Sequence, residues 1–303
     1  MKIGIAGTGR MGAAIARRLL GLGHNVVVWN RTGARTRDLA AAGAETVDRP
    51  ADVTNVCESI LTILTDGPAV EAVYAGPDGL LAGKASGKLF LEMSTVRPQT
   101  KKDVANRAHA RGAAFLDCPV GGTVGPASEG KLLGMVGGEA GDLGRARPIL
   151  DQLCRRVEWV GPVGSAAALK LAMNLTVQVY WQAFGEALAL CKPHGLPAQR
   201  LMELFTESSG APRVFHHRAA DIARTLEGGD IAPVNFDVDS VRKDMRTMID
   251  EARAIGCSLP VAERALECFD LASREGLGEK DCATLPAIWW GRSNQHSLGK
   301  ATS

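Results

Sequence analysis

Lys2-Ile3-Gly4-Ile5-Ala6-Gly7-Thr8-Gly9-Arg10-Met11-Gly12 reads as a strand, a glycine turn and the start of a helix. Lys2 to Ala6 is a short apolar strand, Gly7 to Gly12 turns it, and Met11 to Leu22 continues as a helix stopped at Gly23. Spaced glycines alone carry little weight in a chain with 35 of them. Their position carries more: directly after a strand and opening a helix, they let the backbone approach a pyrophosphate and aim free helix N–H groups at it. Gly7, Gly9, Arg10, Met11 and Gly12 are therefore candidate cofactor-binding residues. The second strand, Asn25 to Trp29, runs into Asn30-Arg31-Thr32 and then Arg35. A dinucleotide without a ribose phosphate usually meets Asp or Glu here. Asn30, Arg31, Thr32 and Arg35 stand instead, and two guanidinium groups beside a hydroxyl suit a 2′-phosphate. The expected cofactor is NADP(H), although arginines on a solvated loop read the same way.

Strand and helix candidates alternate from there. Ser59 to Leu64, Leu89 to Met93, Ala114 to Asp117, Lys131 to Val136 and Val157 to Val160 are strands. Pro68 to Tyr74, Pro98 to Arg111 and Asp142 to Leu153 are helices among them. The alternation predicts a Rossmann-type, doubly wound, mostly parallel sheet covered on both faces. Ligands on such a sheet lie outside the carboxyl ends of the strands. Leu64 and Thr65 follow one strand end, Ser94 and Thr95 another, so Leu64, Thr65 and Thr95 join the cofactor set. Ser or Thr after a strand is also a common helix cap, and the residues leave both readings open.

After Gly164 the pattern becomes helical only: Ser165 to Lys192, Ala198 to Glu207, Arg213 to Leu226, Val238 to Ile255 and Val261 to Glu275. A cofactor domain over 1–163 is expected to be followed by an all-α domain over 164–303 that serves substrate and subunit contacts. The tail from Gly291 to Ser303 is polar and expected to be mobile. The helix from Ser165 to Lys192 is about 42 Å long at 1.5 Å per residue, more than one small domain buries, so a homodimer or homotetramer is expected. Along it Lys170, Asn174, Gln178, Gln182 and Glu186 recur every fourth residue. Each step drifts about 40°, so Lys170, Asn174 and Gln178 still share a face, on water or in a cleft. If Lys170 and Asn174 face a cleft, Gln182 and Glu186, about 120° to 160° away, fall to subunit contacts or solvent, and Gln178 stays undecided between them.

The composition excludes several classes. A hydrophobic fraction of 46% is that of a globular chain, and a net charge of +2 without a basic block gives nucleic acid no footprint. The least polar run, Leu171 to Gly185, is broken by Asn174, Thr176, Gln178 and Gln182 and is too short to span a membrane. No apolar leader precedes the first strand, so a soluble, cytoplasmic protein is expected. Seven cysteines, odd in number and without a Cys-x-x-Cys pair, read as thiols in a reducing compartment. His216 and His217 are adjacent rather than at ligand spacing, and no metal site is expected.

The chain resembles the β-hydroxyacid dehydrogenase family, which includes 3-hydroxyisobutyrate dehydrogenases and the glyoxylate or succinic semialdehyde reductases. The likeness covers nearly the whole chain. It begins with Ile5-Ala6-Gly7-Thr8-Gly9-Arg10-Met11-Gly12 and continues through Gly23-His24-Asn25-Val26-Val27-Val28-Trp29-Asn30-Arg31-Thr32, the form of NADPH-preferring members. The family's substrate loop, Asp-x-Pro-Val-Ser-Gly-Gly and then Gly-x-Leu, stands here as Asp117-Cys118-Pro119-Val120-Gly121-Gly122-Thr123 with Gly130-Lys131-Leu132. Gly121 replaces the serine whose hydroxyl helps hold a substrate carboxylate, and Thr123 replaces the second glycine. Backbone N–H groups at Gly122 and Thr123, with the Thr123 hydroxyl, remain as anion donors. Gly161-Pro162-Val163-Gly164, Lys170 and Asn174 match the catalytic signature, with Met173 where many members carry a first asparagine. Phe236 and Lys243-Asp244-Met245 match a third signature.

The resemblance implies Lys170 as catalytic residue, Asn174 as its partner on the substrate, Gly121, Gly122 and Thr123 as the substrate loop, and Lys243 near the nicotinamide. Lys243 and Asp244 alone read equally as a solvated charge pair. The expected activity is an NADPH-dependent interconversion of a short 3-hydroxy or 2-hydroxy acid with its semialdehyde or oxo acid, Lys170 serving as general acid and base. The substrate is a small aldehyde or hydroxy acid bearing a carboxylate. Imine reductases are similar over the same two domains but usually carry a different acid in place of Lys170. A 3-hydroxy amino acid dehydrogenase would use the same groups, and a non-catalytic NADP(H)-binding sensor or scaffold is the reading from another class.

Overall fold

Side chains of a strand leave the sheet on alternate faces, and in this chain both faces of the early strands are apolar. The computed structural model describes residues 1–231 and 233–292. The chain forms two compact units, Met1–Ala172 and Met173–Ser303. The first contains β1 (Lys2–Ala6), α1 (Arg10–Gly21), β2 (Asn25–Trp29), α2 (Arg37–Ala41), β3 (Glu45–Thr46), α3 (Pro50–Val56), β4 (Ser59–Thr62) and α4 (Gly67–Ala75). It continues with β5 (Leu89–Glu92), α5 (Pro98–His109), β6 (Ala114–Asp117), β7 (Val120–Gly121), α6 (Val124–Glu129), β8 (Leu132–Gly137), α7 (Ala140–Leu153) and β9 (Cys154–Gly161).

The strands form one sheet in the order β3-β2-β1-β4-β5-β6-β8-β7, with β9 paired to β8. From β3 to β6 all pairs are parallel; Ile3 lies opposite Val26 and Ser59, and Ile5 opposite Val28 and Leu61. β8 runs antiparallel to β6 and β7. The chain winds outward from β1 through β2 and β3, then returns to β1's other side with β4. This reversal makes the crevice at the carboxyl ends of β1 and β4, where Gly7 and Leu64 emerge.

One face of the sheet carries Ile3, Ile5, Val26, Val28, Leu61, Leu89, Leu91 and Leu116 and is covered by Ile15 and Leu19 of α1 and Ile149, Leu150 and Leu153 of α7. The other face carries Val27, Ile60, Phe90 and Phe115 against Val53 of α3, Val70 and Tyr74 of α4 and Val104, Ala105 and Ala108 of α5. Tyr74 meets Phe90 and Phe115 edge-on at 5.5 and 5.9 Å between ring centroids. Each such pair adds about 0.5–1.5 kcal/mol beyond burial.

α8 (Ser165–Cys191) leaves the sheet and enters the second unit, whose other helices are α9 (Ala198–Glu207), α10 (Arg213–His216), α11 (Ala219–Leu226), α12 (Val238–Ala254), α13 (Pro260–Ala272) and α14 (Leu285–Arg292). The residue pattern changes at 163/164, whereas the packing divides within α8, after Ala172. Phe184 is central to the second core, 4.9 Å from Phe215 and 5.0 Å from Phe205 between centroids. The helix expected from Arg213 to Leu226 is two pieces. The break falls at His217 and Arg218, where φ widens to −118° at Arg218, and the Arg218 guanidinium pairs with the buried carboxylate of Asp281. Among the described residues no helix is long and apolar enough to cross a membrane. Most of the tail expected to be mobile, 293–303, lies outside the described residues.

Candidate active site

The glycines of the first turn differ in what demands them. Gly7 has φ +102°, and a Cβ there would lie 2.3 Å from the Ile63 carbonyl oxygen and 2.9 Å from Leu64 Cδ2. A Cβ on Gly12 would stand 1.9 Å from the Gly7 carbonyl oxygen. These two allow α1 to pack on the ends of β1 and β4. Gly9 is different: a Cβ there would meet nothing within 4 Å. Gly9 is the N-cap of α1, without a side-chain cap bond and without an acidic residue in the first turn. The N-cap residue thus offers the first-turn N–H groups of α1 no capping side chain of its own, and no atom crowds the position of its missing Cβ. This fits the pyrophosphate of a dinucleotide. Arg10 is exposed, and Met11 packs in part against the sheet core.

Asn30 ties this turn to the end of β2. Its Oδ1 accepts the Thr8 N–H at 3.1 Å and its Nδ2 donates to the Thr32 carbonyl at 3.0 Å. The Thr8 hydroxyl donates to the Arg35 carbonyl at 3.2 Å. The backbone of residues 30–35 is thus fastened to the glycine turn while the side chains of Arg31, Thr32 and Arg35 stay exposed.

At the neighbouring strand ends, the Leu64 N–H donates to Ser94 Oγ at 2.8 Å. Thr65 is exposed, and the cap of α4 is Asp66, which accepts the Ala69 N–H at 2.8 Å. The N-cap position of α5 is Arg97, so neither Thr65 nor the half-buried Thr95 caps the helix that follows it. In the substrate loop, Gly121 pairs with Leu133 across β7 and β8, and a Cβ on it would make only ordinary contact, 3.5 Å from Leu133 Cβ. Gly122 has φ +127° and little room, with Leu132 Cδ2 2.8 Å from an added Cβ. Thr123 is exposed at the start of α6, a helix not expected from the sequence because its six residues include Gly125 and Pro126.

Glu92 and Lys101 stand outside the expected site set and prove central to this unit. Lys101, Glu92 and Asp117 all have 0% side-chain exposure. Lys101 Nζ forms an ion pair with Glu92 Oε2, donates to the Glu92 carbonyl at 2.8 Å and lies 3.2 Å from Asp117 Oδ1. The other oxygen of Asp117 accepts the N–H groups of Gly164 at 3.1 Å and Ala167 at 2.9 Å, at the start of α8. Burial opposes the Lys101 charge, but the carboxylates of Glu92 and Asp117 outweigh it and hold the lysine above its ordinary value. A signal was available: Lys101 shares helical spacing with Val104, Ala105 and Ala108, all buried.

Lys170 is half-buried on the part of α8 that belongs to the first unit, and Asn174 lies one turn on, within the second. Asn174 Nδ2 donates to Asp244 Oδ2 at 3.2 Å, and Asp244, itself buried, pairs with Lys243. The charge pair Lys243–Asp244 is therefore half interior rather than solvated. Gln182 corrects an expectation. It is buried, not on a solvent or subunit face, and its Oε1 accepts the Trp289 indole N–H at 3.1 Å. The cause is α14, which lies against Gly185, where a Cβ would fall 2.3 Å from Trp289 Cδ1. Gln178 is buried as well, while Glu186 is exposed. His216 and His217 are exposed at the end of α10.

Comparison with known proteins agrees with this geometry. Residues 2–161 match the model of the NAD binding domain of 6-phosphogluconate dehydrogenase, and residues 164–288 match that of the NAD-binding domain of NADP-dependent 3-hydroxyisobutyrate dehydrogenase. The chain is 32% identical to a 3-hydroxyisobutyrate dehydrogenase of Pseudomonas aeruginosa, covering 96% of this chain and 99% of the relative. It is 30% identical to glyoxylate/succinic semialdehyde reductase 1 of Arabidopsis thaliana, covering 96% and 100%. The structure of the Mycobacterium tuberculosis 3-hydroxyisobutyrate dehydrogenase with L-serine superposes at a TM-score of 0.81, with 25% identity over 95% of this chain and 98% of that one. With a glycine turn shaped for a nicotinamide dinucleotide and both domain models matched in order, the chain belongs to the β-hydroxyacid dehydrogenase family of NAD(P)-dependent oxidoreductases.

Proposed function

We propose that this protein is an NADPH-dependent reductase of short aldehydes or 2-oxo acids that carry a carboxylate, with Lys170 as general acid in reduction and general base in the reverse direction. The observation that supports this most is the capping of α8 by Asp117. The aspartate ends β6 and binds the Gly164 and Ala167 N–H groups, so the helix turn bearing Lys170 is fixed to the same sheet edge as the dinucleotide turn. When bound, the nicotinamide dinucleotide supplies the hydride, or accepts it in reverse. Lys170 Nζ donates a hydrogen bond to the substrate carbonyl oxygen, stabilises the alkoxide charge that develops there and passes its proton to it. Asn174, with its Nδ2 committed to Asp244, presents its Oδ1 as an acceptor that orients the substrate hydroxyl or the lysine ammonium. Gly121 leaves room beside Gly122 and Thr123, whose N–H groups and hydroxyl hold the substrate carboxylate. Arg31, Thr32 and Arg35, exposed beside the glycine turn, hold the 2′-phosphate.

The named activities of the 30% identical Arabidopsis relative favour glyoxylate and succinic semialdehyde as first substrates. Oxidation of a 3-hydroxy amino acid is a second reading, favoured by the L-serine in the Mycobacterium tuberculosis relative. A homodimer or homotetramer is part of the proposal. Met173, Thr176, Ala183 and Leu190 line an exposed stripe of α8, and Leu190 is 78% exposed. The test is NADPH oxidation with glyoxylate, succinic semialdehyde and a cyclic imine, and NADP+ reduction with L-serine, for the parent and for Lys170→Ala. Turnover on a carboxylated aldehyde that falls by about a hundredfold or more in a folded Lys170→Ala variant supports the reading. Tight NADPH binding without turnover on any of them, or full turnover by the variant, overturns it.

A further inference from the structure

We propose that Lys101 is a positioning residue of the site: by gathering Glu92 and Asp117 into one buried ion cluster it sets both the loop after β4 and the first turn of α8. The inference rests on the reading of Lys170 as the acid–base group for its kinetic consequence, though not for its structural one.

Two branches leave the lysine. On one, Glu92 Oε1 accepts the Ser94 N–H at 3.0 Å and the Ser94 hydroxyl, and Ser94 Oγ in turn accepts the Leu64 N–H at 2.8 Å. Leu64 lies against Gly7, so this branch ends at the dinucleotide turn. On the other, Asp117 Oδ2 accepts the Gly164 and Ala167 N–H groups. Lys170 follows Ala167 by three residues, within one helical turn, so the rotation of α8 that aims Lys170 is set by these two bonds. Lys101 itself is too deep to touch substrate or cofactor, with no exposed side-chain surface. Its helix neighbours Val104, Ala105 and Ala108 are buried apolar residues, so packing on this face does not by itself call for a charge. What an apolar residue would not do is neutralise two buried carboxylates.

Without the lysine, Glu92 and Asp117 share a dry site. Tyr74, which bonds Thr62, and Cys118 face the same carboxylates, and burial holds both well above their ordinary values, so they bring no compensating charge. Lys102 is exposed, its stem passing over Gly164 outside the cluster. Lys170, on the same stretch of α8, is half-buried. The remedy left to the pair is protonation of one carboxylate. While both stay charged their repulsion drives Glu92 and Asp117 apart and the two branches loosen together; protonation of one relieves this, so the loosening is pH-dependent and eases toward acid pH.

The experiment uses the full chain with Lys101→Met, and Glu92→Gln added to it in a double variant. Amide exchange is followed at Leu64, Gly164 and Ala167, NADPH binding by fluorescence, and glyoxylate reduction from pH 5 to 9. In Lys101→Met, exchange at those three amides is expected to rise about tenfold or more while that of β1 and α12 stays near the parent. Its kcat falls about tenfold with KM for glyoxylate changed less than about threefold, and activity recovers toward acid pH. The double variant, with one buried charge fewer, regains most of the lost kcat at pH 7 and loses the acid recovery. If Lys101→Met does not fold, faster exchange confined to these amides in the double variant supports the proposal. Parent-like exchange at Gly164 and Ala167, a parent-like pH profile, or faster exchange spread evenly over both units would overturn it. Full turnover by Lys170→Ala sinks the acid–base reading alone, because exchange at Gly164 and Ala167 decides the role of Lys101 without any turnover.

Discussion

Glycines show how differently one residue type is used along this chain. Gly12 is required by space: a methyl group there would sit 1.9 Å from the Gly7 carbonyl oxygen, and backbone cannot yield as a flexible side chain can. Gly12→Ala is expected to cost about 1–3 kcal/mol through overpacking and to weaken NADPH binding, read as a lower urea midpoint and a higher Kd. Gly121 is the opposite case. Its added Cβ would make ordinary contact at 3.5 Å, so nothing in the packing excludes the family's serine. Gly121→Ser should leave stability within about 0.5 kcal/mol of the parent and lower KM for glyoxylate, because it restores a hydroxyl beside Gly122. An unchanged KM would show that the carboxylate is held elsewhere. Arg31 and Arg35 form a third kind of test, since they bear only on a 2′-phosphate. The pair Arg31→Ala and Arg35→Ala should raise KM for NADPH about tenfold and leave that for NADH unchanged. An equal effect on both cofactors would make these arginines surface residues only.

Elements that carry a local pattern were legible and those without one were not, for a reason visible in α8 and α14. α8 is marked by Gly164 before it, a mostly apolar, helix-forming interior and Pro193 beyond it, and its expected span differs from the observed one by a single residue. The strands Lys2–Ala6, Asn25–Trp29 and Ala114–Asp117 were equally clear, being apolar runs bounded by glycines and polar turns. α3, α6 and α14 have fewer than nine residues each and draw their stability from what they lie against, which no local pattern records. The same gap explains the site. The glycine turn and the lysine–asparagine spacing are local and could be read, whereas the meeting of Glu92 with Lys101 and Asp117 needs three elements to be brought together. It also explains why Gln182 reads as a surface residue until Trp289 is seen beside it. Gly185→Ala tests that contact. The new methyl group would displace the Trp289 ring, break its bond to Gln182 and cost about 1–3 kcal/mol, read as a shift in tryptophan emission and a lower midpoint for the second unit. A variant with parent-like emission and midpoint would mean that α14 contributes little to this unit.

Among the described residues the groups whose titration burial changes most lie on the alkaline side. Burial pushes the thiols of Cys57 and Cys154 in the first unit, and Cys282 in the second, up to about 12. An unfolded thiol ionises near ~8.5, so between there and about 12 the unfolded chain holds fewer protons than the native one, and stability falls as pH rises. Lys101 acts in the same direction. Its native value is raised by Glu92 and Asp117, so its contribution is fully present below the unfolded lysine value near ~10.4 and is lost as pH climbs through the native one. The slope approaches about 1.4 kcal/mol per pH unit for each thiol in this window. Both units are therefore expected to show a urea midpoint that declines steadily from pH 8 to 11. Trp29 and Trp159 report on the first unit, and Trp181, Trp289 and Trp290 on the second. Cys282→Ala should flatten the decline in the second unit without altering the first, because it removes a proton that only the folded state retains. Midpoints independent of pH over this range, or a Cys282→Ala effect spread over both units, would show that these thiols are not held protonated by burial.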